Sequence, residues 1–274
     1  MTLKAMYNNI IAGNYDAANQ FGSISKSHDI AISQIENERL NNSTIHNVTD
    51  LGVGDAAFLE KLQNYIPTAD FIGIDISDKM LINAKQKLKL KTIEASAASA
   101  SLHIQHNSQD LVIAHFINAY VPINQLFHEA FVLNKNDKYF SLITTTYESF
   151  PVGQQYLTEF IAKNTIFSRI IGHYYQTMTK NTPVASGQEE LLSTFEKHHF
   201  KILNHQRIHI PITLNNINEL AAFGINGTWF LNSLAIRILP KNFLINRLKH
   251  VFNKIFKFPY HDTHIIDIIL AKKK

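Results

Sequence analysis

Cysteine is absent from this 274-residue chain, which excludes disulfides, thiolate metal sites and a cysteine nucleophile. Long hydrophobic runs are missing too. No segment reaches the roughly 18 consecutive apolar residues that a membrane-crossing helix needs, and Met1 to Asn9 lacks the uninterrupted apolar stretch of a secretory signal. The expectation is therefore a cytoplasmic protein. There is no Walker loop, no G-x-S-x-G elbow and no H-E-x-x-H motif. Histidine is plentiful but incomplete as a ligand set. His261-Asp262-Thr263-His264 offers two imidazoles and an acid at a strand entry, and His198-His199 and the His205/His209 pair lack a third partner, so no metal site is expected. The formal charge of +4 is mildly basic and does not by itself point to nucleic acid.

What is present begins with Asp50-Leu51-Gly52-Val53-Gly54-Asp55-Ala56-Ala57, followed about twenty residues later by Phe71-Ile72-Gly73-Ile74-Asp75. An apolar strand, a glycine turn, a helix start and a second strand ending in an acid make a pocket for a nucleoside-bearing cofactor. Gly52 and Gly54 allow a ligand to lie against the backbone and allow positive φ. Asp75 is placed to accept hydrogen bonds from a ribose diol. Gly52 to Ala57 also satisfies the G-x-G-x-x-A form of the nicotinamide fingerprint, so an oxidoreductase is the competing reading. Asp50 separates the two: before the first glycine a carboxylate pairs with an amino-acid ammonium group but repels a pyrophosphate. The motif also follows about 45 residues of helix-forming chain, and Gln109 to His115 reads as a further strand that begins with an acid, Asp110.

Along the chain, residues 16–40 read as one or two helices broken at Asn41-Asn42-Ser43. Val48–Leu51, Phe71–Ile76, Thr92–Ser96, Leu111–Ile117 and Tyr139–Thr145 read as strands, alternating with helices at Ala56–Tyr65, at Asp78–Leu90 and after Pro122. That alternation implies a parallel sheet. Glu189–His198 reads as a helix, Phe200–Ile210 as a long strand and Thr263–Leu270 as the last one.

The ordered landmarks Asp50-Leu51-Gly52-Val53-Gly54, Gly73-Ile74-Asp75-Ile76-Ser77 and Asp110-Leu111-Val112-Ile113, with Ser77-Asp78-Lys79-Met80-Leu81 and Ala84 between them, resemble the class I S-adenosylmethionine-dependent methyltransferases of the small-molecule type. The resemblance covers residues 45 to 147 and extends more loosely to the end. It departs in Ala56, which stands for the family's third glycine, and in the acid that often follows strand three near the adenine, which is missing here. Ser96 or Ser99 is the substitute donor.

The resemblance implies a Rossmann-like α/β fold with a seven-stranded, mostly parallel sheet and an antiparallel last strand. It implies an N-terminal helical lid (1–44), a core (45–212 and 263–274) and a helical cap inserted before the last strand (213–262). S-adenosylmethionine is the implied cofactor, contacted by Tyr15, Asp50, Gly52, Gly54, Asp75, Ile76, Ser96 and His115, with Ile76 against the adenine. His115 and Tyr120 are the implied catalytic residues, and Asn118, Tyr147 and Tyr174 face the acceptor. For His115 the competing role is a structural hydrogen bond at a strand end, and for the aromatics it is packing. The implied reaction is direct methyl transfer to a small or lipid-like organic acceptor. Nucleic acid is not expected, since there is no N/D-P-P-Y/F-type motif and no cysteine. A methyltransferase-fold binding protein without catalysis is the third alternative.

The stretch Lys241 to Lys257 carries Lys241, Arg247, Lys249, Lys254 and Lys257 and no acid, with apolar residues between them at near-helical spacing. It reads as an amphipathic helix packed on the core with a basic outer face, or as one in weak contact with an anionic membrane surface.

Overall fold

The computed structural model describes residues 3–8, 12, 19–42, 45–181, 184–226 and 241–274. Its centre is a seven-stranded sheet in the order β3-β2-β1-β4-β5-β7-β6. The strands are β1 (Asn47–Leu51), β2 (Asp70–Asp75), β3 (Lys91–Glu94), β4 (Gln109–His115), β5 (Asn134–Thr144), β6 (Phe200–Leu214) and β7 (Tyr260–Lys273). The first five pair in parallel, while β7 runs antiparallel to both β5 and β6.

Helices α1 (Leu3–Met6), α2 (Ser23–Asn42), α3 (Ala57–Leu62), α4 (Asp78–Lys87), α5 (Ile123–Leu133), α6 (Pro151–Ala162), α7 (Ile166–Asn181), α8 (Gln188–Lys197), α9 (Ile217–Asn226) and α10 (Lys241–Ile255) surround it. Two have clear starting signals. The Asn19 side-chain oxygen accepts from the amides of Ile24 and Ser25 (3.0 and 3.1 Å) and caps α2, which moves its start past the expected residue 16 to Ser23. Ser77 accepts from the Met80 amide and caps α4.

Strand alternation divides the core in two. Val48, Leu111, Ile113, Tyr139, Ile143, Ile266, Ile268 and Leu270 pack on one face with residues of α2 and α3. Leu51, Ile74, Val112, Ala114, Phe140, Leu142, Ile269 and Ala271 pack on the other with residues of α5 and α8.

Above the C-terminal ends of the parallel strands lies a third cluster. Ile212, Leu214, Leu220, Phe223 and Tyr260 are its buried members, and Phe150, Val152, Tyr156, Phe252 and Phe256 pack on it. The sequence places a cap only at 213–262. The structure adds the α6–α7 hairpin to it, with α6 touching α7 and α10. It also extends the β6–β7 hairpin, pairing Thr213 with His261 and Leu214 with Tyr260. Residues 213–214 and 260–262 are thus strand, because Ile212, Leu214 and Tyr260 are buried by continuing the ladder. The helical insertion lies between Leu214 and Tyr260.

Asp262, within the incomplete His261–His264 ligand set, accepts from the amides of Val152 and Gly153 (3.1 and 2.8 Å) and from the Tyr260 hydroxyl. It thereby ties the first turn of α6 to β7, a use of an acid at a helix N-terminus. No cluster of three metal-ligating side chains occurs among the described residues.

Candidate functional site

The turn after β1 is fixed by the neighbouring strand. Gly52 and Val53 both donate their amides to the Ile74 carbonyl (2.8 and 2.9 Å). Gly52 has φ +82°, a conformation that favours glycine, and a Cβ there would lie 2.5 Å from Ile117 Cδ1 and push that side chain aside. Gly54 follows at φ +57°. Ala56 occupies the N-cap of α3 in the left-handed region, at φ 62° and ψ 21°, where an L-residue is strained.

Asp75 closes the loop from the end of β2. Its carboxylate accepts from the Gly54 amide (3.0 Å) on one oxygen and from the Ser77 amide (2.8 Å) on the other. Burial pushes its pKa up, against the backbone hydrogen bonds from Ser77, Gly54 and Ile76 that favour the charged form. Each carboxylate oxygen keeps acceptor capacity for a second donor. Asp50 lies one strand over and is buried. Desolvation, then the charge of Asp75, pushes its pKa up to about 8, so at neutral pH its carboxyl is mostly protonated.

These groups surround an open cleft. Gly52, Gly54, Asp75, Ile76, Ser96, His115 and Tyr120 all line it, as do Met80, Phe116 and Ile117. Sequence reasoning thus brings seven of its expected residues to one place. The Ser96 hydroxyl accepts from the Ala98 amide (3.2 Å), which leaves its own proton available to donate. Ser99, the other candidate, donates to the Ser96 carbonyl instead (3.1 Å) and does not line the cleft.

His115 Nε2 lies 3.0 Å from Ser141 Oγ, and the ring packs edge-on against Phe58 (4.3 Å) and near His28 (5.7 Å). Desolvation, then the neighbouring His28, holds its pKa well below the ordinary histidine value. The imidazole is therefore neutral at neutral pH, and its buried Nδ1 has no partner among the described residues. In that state it is a hydrogen-bonding group and a weak base.

Other expected residues lie elsewhere. Asp50, Asn118 and Tyr147 are not among the cleft's lining residues. Asn118 is buried with its amide nitrogen unpartnered, and Tyr147 follows β5, its amide bonded to the Ala185 carbonyl at 3.0 Å. Tyr174 belongs to α7, with its side chain outside the described part, and Tyr15 lies outside the described residues.

The N-terminal segment contributes Leu3 and Tyr7 to the cleft. They are four apart, a spacing that puts both on one helix face. The Tyr7 ring meets Tyr120 edge-on at 5.8 Å. Lys4 pairs with Glu94 (2.5 Å) and Asp78 (3.3 Å), and Asn8 bridges Ser77 and Asp78, so this segment is clasped over the loop that follows β2.

The strand order is that of neither common dinucleotide-binding sheet. The antiparallel β7 inserted between β5 and β6 sets it apart from the nicotinamide reading. Residues 48–137 match the family model described as a methyltransferase domain. That segment, from β1 into β5, is a methyltransferase domain.

Solved structures share the chain's fold. The YcgJ protein of Bacillus subtilis is 14% identical, with 90% of this chain and 99% of that one covered at a TM-score of 0.56. A methyltransferase candidate from Bacillus halodurans is 11% identical, covering 88% and 96% at a TM-score of 0.57. A Haemonchus contortus phosphoethanolamine N-methyltransferase, solved with phosphomonomethylethanolamine and S-adenosylhomocysteine, is 11% identical, covering 100% of this chain and 60% of that one at a TM-score of 0.55. No curated protein matches the chain's sequence. Glycine backbone, an acid at the end of β2 and apolar walls from Ile76, Met80 and Ala97 fit the nucleoside of the methyl donor.

Proposed function

We propose that this chain, as a methyltransferase, acts on a small or lipid-like organic acceptor by direct methyl transfer, at the mouth of the cleft below the helical cap. The observation that carries the reading is Asp75, held by the amides of Gly54 and Ser77 inside the same cleft as the glycine backbone. In this reading Asp75 receives the ribose hydroxyls, Ile76 lies against the adenine and Ser96 donates at the adenine edge. Asp50 stands behind the glycine turn as the counter-charge for the cofactor's ammonium group and ionises when that group arrives.

When bound, S-adenosylmethionine supplies an electrophilic methyl group on a sulfonium centre. The protein's part is then alignment, exclusion of water and a hydrogen-bonding path for any proton the acceptor sheds. His115 and Tyr120 border the reacting end. With its pKa depressed, neutral His115 orients a group through a hydrogen bond, and Tyr120 with Tyr7 narrows the entrance. Asn118, Tyr147 and Tyr174 belong to the acceptor side, on segments that follow β4 and β5. Two helical pieces over one end of the sheet favour an enclosed metabolite or lipid-like acceptor over a protein surface.

The test is calorimetric titration of S-adenosylhomocysteine into wild type and Asp75→Ala. Wild type should bind, and the substitution should weaken binding by about 1 to 3 kcal/mol, the scale of hydrogen bonds to a charged group. Equal affinity of the two proteins would remove the ribose assignment.

A further inference from the structure

The α6–α7 hairpin leaves large apolar side chains in solvent. Ile166 is 74% exposed and Ile170 is 61% exposed, one helical turn apart at the start of α7. Isolated exposed residues are ordinary, but an adjacent pair of isoleucines with basic neighbours is a recognition feature. Lys163, at the end of α6, and Arg169 are also exposed.

The C-terminal turn of α10 joins the same surface. Lys254 Nζ lies 4.8 Å from the centre of the Phe167 ring, and Lys163 Nζ lies 5.4 Å from that of Phe160, which meets Phe167 edge-on. Lys257 follows, exposed. Residues 151–181 contain a single acid, Glu159, and residues 241–259 contain none. A surface that joins exposed isoleucines to a positive field complements negative headgroups above an acyl layer. Nucleic acid would engage the cations but leave the isoleucines in water.

We propose that the α6–α7 hairpin and the end of α10 dock on an anionic lipid bilayer, with Ile166 and Ile170 entering the acyl boundary and Lys163, Arg169, Lys254 and Lys257 meeting the phosphate headgroups. No helix among the described residues is long and apolar enough to cross a membrane, so the contact is peripheral. The inference goes beyond the acceptor reading and stands without it, since vesicle binding is measured without methyl transfer.

The test is co-sedimentation of the full chain with vesicles of phosphatidylcholine alone and of phosphatidylcholine mixed with phosphatidylglycerol. Binding to the anionic vesicles should be at least about tenfold stronger and should weaken with added salt. The double variant Ile166→Ser/Ile170→Ser should lose about tenfold, and so should Lys254→Gln/Lys257→Gln. Wild-type affinity for S-adenosylhomocysteine in both variants shows that they are folded. No vesicle binding, equal binding to neutral and anionic vesicles, or anionic binding that survives loss of the isoleucines would overturn the proposal. So would duplex DNA binding as tight as vesicle binding, since it would show a surface read by charge alone.

Discussion

The two ends of the sheet solve opposite problems. At the N-terminal end of β4, Asp110 accepts from the amides of His46 and Asn47 (both 3.0 Å) and pairs with Lys135 (2.9 Å). Burial alone would raise its pKa, but Lys135 and the two amides outweigh that and hold it below the usual carboxylate range. Nearby, Lys273 donates to Asn107 Oδ1 and to the carbonyls of Phe131 and Asn134 (2.8 to 2.9 Å) and lies over the Phe131 ring. Asp110 and Lys273 there find their partners within the protein, although the Asn134 side-chain amide has none among the described residues.

At the C-terminal end the balance is left open. Asp50 is buried with its pKa raised to about 8, His115 Nδ1 and Asn118 Nδ2 have no partner among the described residues, and Ala56 and Phe116 hold positive φ. Buried polar groups without partners and strained backbone cost stability. Beside the cleft such groups are placed for a ligand to complete, while at the opposite end Asp110 and Lys273 tie neighbouring segments together.

That contrast can be broken most forcefully at the closed end. Asp110→Ala orphans two backbone amides and a lysine, and should cost about 2 to 4 kcal/mol in urea unfolding. Its affinity for S-adenosylhomocysteine should stay within about twofold of wild type. A stable variant with impaired binding would reverse the roles assigned to the two ends.

A pH-dependent effect is expected at Asp50. Its folded pKa exceeds its unfolded value, so the folded state binds the extra proton, and stability is fully present below about pH 4 and is lost as pH rises through about 8. Over that window this group contributes a slope of at most about 1.4 kcal/mol per pH unit. Asp50→Asn should flatten the profile of urea midpoint against pH, leaving a residual slope from Asp75, whose pKa is raised as well. An unchanged slope would show that Asp50 is not the titrating group. The smallest effect is at Ala56→Gly, which should raise stability by about 0.5 to 1 kcal/mol by relieving the left-handed backbone, seen as a higher Tm. A lower Tm would mean that the Ala56 methyl group contributes more through packing than the backbone costs.

Much of this was legible in the sequence for physical reasons. Alternating strands and helices, the turn at Gly52 and Gly54 and the acid at Asp75 are local signals, and each depends on contacts between near neighbours in the chain. What was not legible depends on distant partners. The α6–α7 hairpin opens with Pro151 at the first helical position but has no side-chain cap of its own, since Phe150 occupies the N-cap with φ 58° and Asp262, from β7, supplies the acid. Tyr7 reaches the cleft because Lys4 and Asn8 find Asp78, Glu94 and Ser77, more than sixty residues away. That the turn after β4 buries Asn118 was not legible either. Strand β5 begins at Asn134, directly after α5, five residues before its aromatic and β-branched run at Tyr139.

Hydrogen exchange with and without S-adenosylhomocysteine tests the central claim most directly. The account predicts new protection at residues 50–56, 75–80, 96–98 and 115–121, with residues 107–110, 131–135 and 272–274 unchanged. Bound ligand that protects the second group and leaves the first unaltered would contradict it.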